Sequence, residues 1–200
     1  MENPYVLASK FAQMGREEIG LHASLEDIAE EIRSRTESLV QRVSARPMVT
    51  AYGTFMAHAY KDLPSDNVHL ALIRGEWPQD HPVLVRVHEP LSVMDLLDTG
   101  STAHSWNVHD ALSAIARVEC GVLLLLHRQE SASELLERAR PPGERRGTPK
   151  ITLRNYGIGA QILKDLGVKK MRVMSVPRRM PSMAGFDLEV TGYQEPPKAP

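Results

Sequence analysis

Apolar positions along this chain recur every three to four residues in some stretches and every second residue in others. Near the N-terminus Val6, Leu7, Phe11, Met14 and Ile19 share one helical stripe, which predicts a helix over Tyr5–Ile19 ended by Gly20. Ser24 reads as an N-cap ahead of Leu25, Ile28, Ile32 and Leu39, a second helix that closes before Arg46-Pro47. The pattern then turns strand-like. Val49–Tyr60 is one strand-rich stretch, the polar turn Asp62–Asp66 follows, and Val68–Ile73 is the next strand. Pro82–His88 alternates as a half-exposed strand does. A helix is predicted over Val108–Val118 on Val108, Leu112, Ile115 and Ala116, with Gly121 leading into a buried strand through Leu126.

The segment Ala139–Lys150 has three prolines, two glycines and no apolar side chain larger than alanine, which predicts an exposed loop. Ile158, Ile162 and Leu166 mark a helix over Tyr156–Leu166, stopped by Gly167 as a C′ residue. Met171–Met174 and Phe186–Val190 read as the last strands, and the proline-rich tail 195–200 as disordered. The fold class is therefore mixed α/β (α+β). The division is a helical linker over 1–47, a domain over 48–194 and a tail over 195–200.

Composition narrows the function classes. With 42% apolar residues in 200 there is material for a real core, and a net charge of -1 gives no global attraction to nucleic acid or anionic lipid. The longest apolar run, Val122–Leu126, is far too short to span a bilayer. The acidic, polar start Met1-Glu2-Asn3-Pro4 is unlike a secretory signal, so a cytoplasmic location is expected. The one cysteine, Cys120, excludes an internal disulfide and a cysteine-rich zinc site; beside Gly121 and a run of leucines it reads as a small buried thiol.

Three stretches carry a family signal. Pro82-Val83-Leu84-Val85-Arg86-Val87-His88-Glu89 resembles the substrate strand of GTP cyclohydrolase II, whose pattern is Arg-Val-His-Ser-Glu-Cys. Leu125–Glu130 resembles its second nucleotide-contacting strand, and Arg154-Asn155-Tyr156-Gly157-Ile158-Gly159 through Val168 the segment after its catalytic arginine. The resemblance covers roughly Val49–Gln194. Ala23–Arg46 resembles the linker that joins a dihydroxybutanone-phosphate synthase domain to a cyclohydrolase domain in fused proteins of riboflavin biosynthesis. The resemblance implies a cyclohydrolase II-like fold, a homodimer, and a synthase domain as partner in cis or in trans. The substrate-binding positions carried over are Arg86, His88, Glu89, Asn107, Glu130, Ser175 and Arg178, with Arg154 at the nucleophile.

The chemistry that the resemblance implies does not survive the comparison of residues. Opening the imidazole ring of GTP needs a Lewis acid that makes hydroxide near neutral pH, and the family's zinc supplies it from three cysteines spaced Cys-x10-Cys-x-Cys. In ungapped register from His88 those positions are Leu91, Thr102 and His104. Leucine cannot ligate a metal, and one histidine does not make a three-ligand site. His81, His88 and His109 lie in the same region, but His104 and His109 are spaced i, i+5, wrong for one helix face, and these histidines read as solvated or hydrogen-bonded rather than as a new metal site. After Glu130 the family's Gly-Arg-x-Ile-Gly-Leu is Ser131–Leu136, without the arginine. Thr152 stands where the carboxylate that activates the nucleophile belongs, and an arginine with a pKa above ~12 needs such a base. The resulting expectation is a domain without zinc and without GTP hydrolysis, serving the synthase as a structural, dimerising or regulatory unit. The alternatives are a sensor that still binds GTP or phosphate weakly, through Arg86, Arg128, Arg178 and Arg179, and an active cyclohydrolase.

Overall fold

Both faces of the central strands are apolar, so the sheet must be covered on both sides. In the computed structural model, which describes residues 38–90, 92–98, 104–141, 153–177 and 183–196, it is. The chain runs through β1 (Val40–Thr50), β2 (Gly53–Asp62), β3 (Val68–Arg74), β4 (Pro82–His88), helix α1 (Val108–Ala116), β5 (Gly121–Leu125), helix α2 (Ala132–Ala139), helix α3 (Leu153–Asp165), β6 (Lys170–Met174) and β7 (Glu189–Gln194). The strands form one seven-stranded sheet in the order β1-β2-β3-β5-β4-β6-β7. The pairs from β1 to β5 are antiparallel, and β5–β4, β4–β6 and β6–β7 are parallel.

Side-chain alternation divides the core into two layers. Phe55, Ala57, Leu72, Leu84 and Leu123 point to one face, where Val108, Ala111, Leu112 and Ile115 of α1 cover them. Tyr60, Ala71, Ile73, Val83, Val85, Val122 and Leu124 point to the other, under Ile158, Ile162 and Leu163 of α3. The continuous apolar run of β5 follows from this double coverage, as in parallel sheets generally. Cys120 is 5% exposed, and burial raises the pKa of its thiol, so it is the inert small core residue its sequence context suggests.

The predicted α1, the β5 strand and the mixed α/β class all stand, and α3 begins at Leu153, slightly ahead of the predicted Tyr156. Other expectations need correction. The β-rich stretch Val49–Tyr60 contains a turn at Ala51-Tyr52, with Gly53 at φ 118°, that the pattern did not mark and that folds it into the β1–β2 hairpin. Strand structure begins at Val40, so Arg46-Pro47 lies inside β1 rather than closing a helical section. As an edge strand β1 is paired on one side only and is mostly solvent-exposed, so it has no apolar alternation to read, and such an edge tolerates Pro47. The hairpin is tied to the end of α3: Leu39 N donates to Gln161 Oε1 at 2.7 Å, and Tyr60 Oη to Asp165 Oδ2 at 2.6 Å.

The predicted final strand from Phe186 starts instead at Glu189. Ala184–Phe186 is a turn of 3-10 helix and Asp187 sits at φ 59°, which breaks the extended run. Helix α2 occupies residues for which no helix was predicted; Ser131 and Glu134 cap it reciprocally, the Ser131 hydroxyl taking Glu134 N and the Glu134 carboxylate taking Ser131 N. The predicted helices over Tyr5–Ile19 and Ser24 onward, nearly all of the 139–150 loop and most of the 195–200 tail lie outside the described residues.

Gly75, which follows β3, has φ 69°, and a Cβ there would stand 2.0 Å from Glu119 O. The backbone approaching β5 leaves no room for it. Gly75→Ala is therefore expected to destabilise the fold by about 3 kcal/mol, read from urea unfolding, with an m-value unchanged from wild type.

Candidate functional site

The alternation of β4 decides where the family-matched residues can act. Leu84, Arg86 and His88 point to the face covered by α1, while Val83, Val85 and Val87 point to the face covered by α3. Arg86 is 6% exposed and His88 1%. The Arg86 guanidinium donates from Nη1 to Met174 O at 2.9 Å and from Nη2 to Trp106 O at 3.0 Å. It thereby joins the end of β6, the entry to α1 and the end of β4.

Nη2 also stands 3.4 Å from His88 Nδ1. Since a guanidinium only donates, Nδ1 is the acceptor and the His88 proton is on Nε2. Burial, then His104 and Arg86, push the His88 pKa down to about 3, so the ring is neutral at physiological pH. It lies against His104, ring centroids 4.4 Å apart. Burial lowers the pKa of His104 as well; Asp95 pulls it upward, and Arg86 and Arg138 oppose that pull. His104 Nε2 is 3.6 Å from Asp95 Oδ2, close enough for attraction and too long for a hydrogen bond.

Of the family's three cysteine positions His104 is described, whereas Leu91 and Thr102 lie outside the described residues. Among the described residues no three His, Cys, Asp or Glu side chains converge as a metal site would require. His109 is engaged elsewhere: Nε2 donates to Leu96 O at 3.0 Å, which leaves Nδ1 to accept from Tyr52 Oη at 3.1 Å. His104 beside Asp95, with the neighbouring His88 accepting from Arg86 and leucine at another family position, does not fit a zinc centre of three protein ligands.

The remaining carried-over residues that are described hold structure. Asn107 is the N-cap of α1, its Oδ1 accepting from Asp110 N at 2.7 Å. Glu89 Oε1 accepts from Asn155 Nδ2 at 2.8 Å, linking the end of β4 to α3. Glu130 Oε2 accepts from Val93 N at 3.2 Å. Ser175 is 3% exposed, its N–H shared between Val173 O and Gln194 O. Arg128 is paired at 2.8 Å with Glu134 of α2, the helix that replaces the family's glycine-arginine segment. Thr152, Arg178, Arg179 and the side chain of Arg154 lie outside the described residues.

Sequence reasoning missed three participants. Trp106 and Met174 offer main-chain carbonyls, which no side-chain pattern announces. Asp95 is visible in hindsight as the N3 acid of a capping box with Ser92, a signal for a turn rather than for a site.

A seven-stranded mixed sheet with this ordered set of motifs defines a class. The GTP cyclohydrolase II family model matches residues 41–195, and the chain belongs to that family. Its similarities lie with riboflavin-biosynthesis proteins. A Neisseria meningitidis protein named 3,4-dihydroxy-2-butanone 4-phosphate synthase is 44% identical over 189 residues, 94% of this chain and 50% of that protein. An Aquifex aeolicus riboflavin biosynthesis protein RibBA is 38% identical over 172 residues, 79% of this chain and 42% of that protein. The crystal structure of RibBX from A. baumannii, a two-domain 3,4-dihydroxy-2-butanone 4-phosphate synthase, superposes with a TM-score of 0.58 at 29% identity, covering 92% of this chain and 48% of that one. The chain thus spans about half the length of the relatives it matches. No helix among the described residues is long and apolar enough to cross a membrane.

Two measurements check the site. Arg86→Met leaves two buried carbonyls without their donor, and a loss of about 3 kcal/mol in thermal or urea unfolding is expected. The His88 shift fixes a pH dependence. The folded pKa of about 3 lies below the ordinary 6.5, so the unfolded chain gains a proton that the folded one refuses. This contribution is intact above pH 6.5 and is lost as pH falls towards 3, amounting to about 2 kcal/mol between pH 7 and pH 5. Urea titrations at the two pH values should show it, and His88→Gln should remove it, leaving the same-signed contribution of His104.

Proposed function

We propose that this chain is a GTP cyclohydrolase II-type domain of riboflavin biosynthesis that holds no zinc, does not hydrolyse GTP, and serves a dihydroxybutanone-phosphate synthase as a structural, dimerising or regulatory domain. The observation that carries this reading is the position of Arg86. In the family pattern this arginine belongs to the substrate strand, and here both of its Nη atoms are spent on the main-chain carbonyls of Met174 and Trp106. A guanidinium that holds two strand and helix ends together is not available to neutralise a triphosphate.

Three further features support it. His88 beside Arg86 is buried and neutral, and so ill placed to meet an anion. Leu91 and Thr102 offer nothing to replace two zinc thiolates. Thr152 replaces the carboxylate that the Arg154 nucleophile would need. The partner is proposed from the relatives, about half of whose length this chain spans. A domain can keep its fold while losing its chemistry when a partner depends on its surface rather than on its turnover.

Incubation with GTP in the presence of excess zinc should release no formate above the uncatalysed background, and elemental analysis should find well under one zinc per chain. Adding the protein to a separately produced synthase should raise the synthase's melting temperature or change its rate. Stoichiometric zinc together with formate release would overturn the reading.

A further inference from the structure

Two neighbouring elements of this fold bury no residue. Helix α2 has none along its length, and neither has the 3-10 turn Val93–Leu96 that follows β4. The two are in contact, and Glu130, just ahead of α2, holds the Val93 main chain. Between them they expose four apolar side chains: Leu135 and Leu136 on α2, Val93 in the turn and Leu97 at its end. Leu136 is 69% exposed and Leu97 77%.

A helix of eight residues is marginal in water and ordinarily owes its stability to an apolar face packed on something. Among the described residues nothing covers Leu136 or Leu97. Apolar side chains gathered on a surface in this way mark an interaction site. The charges beside them are already matched, Glu134 by Arg128 at 2.8 Å and Glu137 by Arg140 at 3.2 Å. The face therefore offers apolar area rather than net charge, which suits a protein surface and not a nucleic acid or an anionic lipid.

The sheet register selects the occupant. Val40 at the start of β1 lies opposite Asp62, Lys61 opposite Val68, and Leu70 opposite Leu125 at the end of β5, which is also the partner of His88 at the end of β4. The chain therefore enters β1 at the same end of the sheet from which α2 and the Val93–Leu96 turn leave. Three strand spacings separate β1 from β5 and four separate it from β4, about 14 to 19 Å at the usual interval. Whatever is joined to this domain ahead of Val40 emerges beside the exposed leucines. The sequence leading into β1 resembles the linker to a synthase domain, and the relatives are about twice the length of this chain. We propose that α2 and the Val93–Leu97 turn form the surface on which the dihydroxybutanone-phosphate synthase docks, with Leu136 and Leu97 as its anchors. The proposal rests on the reading of this chain as a domain that serves a synthase, and it assigns that service a place on the molecule.

The test uses the full 200-residue protein and, as probe, the half of the Neisseria meningitidis synthase that this chain leaves unmatched, produced alone. Calorimetry should show binding, and hydrogen exchange across 132–139 should slow at least about tenfold at saturation. Leu136→Lys keeps a good helix former at that position and should weaken binding by at least about tenfold. Leu97→Lys, outside the helix, should do the same and serves should α2 unravel in the first variant. Val49→Lys, an equally exposed position at the opposite end of β1, should bind as wild type does. Binding that the two leucine variants leave unchanged would overturn the docking surface and leave the synthase as partner. No binding at about 100 μM would overturn the partner together with the surface. A dimer of this chain alone that Leu136→Lys dissolves would give the face to a second copy and overturn the proposal. Formate release from GTP bears on the non-catalytic reading alone and is measured separately.

Discussion

A cation buried at the end of β4 constrains everything around it. Removing a guanidinium from water is costly unless its donors are met, and Arg86 meets them with the carbonyls of Trp106 and Met174. One carbonyl lies just ahead of α1 and the other at the end of β6. Satisfying Arg86 therefore fixes the helix that covers one face of the sheet relative to a strand whose other face lies under α3. His88 and His104 lie ring against ring at a tilt within the space this leaves, and burial there lowers the pKa of both imidazoles. The strand that matches the family's substrate strand thus staples the fold through Arg86.

Around that staple the other family positions take up similar work. Asn107 caps α1, Glu89 ties β4 to α3 through Asn155, and Glu130 holds the Val93 main chain. Arg128 is drawn to Glu134 on a helix that forms because Ser131 and Glu134 can cap it. These are local, mutually consistent bonds that hold the polar end of the sheet together. Beside it, under α3, the described residues leave a cavity with a largely apolar wall.

The parts of the fold that could be read in the sequence were those whose periodicity reports burial directly. Val108, Leu112 and Ile115 face a covered sheet, so their helical spacing is real burial, and the same holds for the run that forms β5. The edge strand β1 escaped because exposure on both faces leaves no alternation to detect. The β1–β2 turn was hidden inside a continuous strand-like stretch, and its marker, Gly53 in a positive-φ conformation, is one glycine among many. Asp187 likewise interrupts the last strand through a backbone angle that side-chain type does not reveal.

The sequence by itself determined the family, through the order and spacing of three motifs, and it set which residues are expected at the family's zinc, nucleophile and substrate positions. Leucine at Leu91 lacks a metal donor in any conformation, because ligand chemistry belongs to the side chain itself. Only the tertiary structure decided what the retained residues do. Arg86 has the same five donors on paper whether it holds a phosphate or two carbonyls, and the choice depends on main-chain atoms 20 and 88 residues away in sequence. The face on which each β4 side chain lies, and the open volume left beneath α3, likewise come from packing between elements that no local pattern encodes.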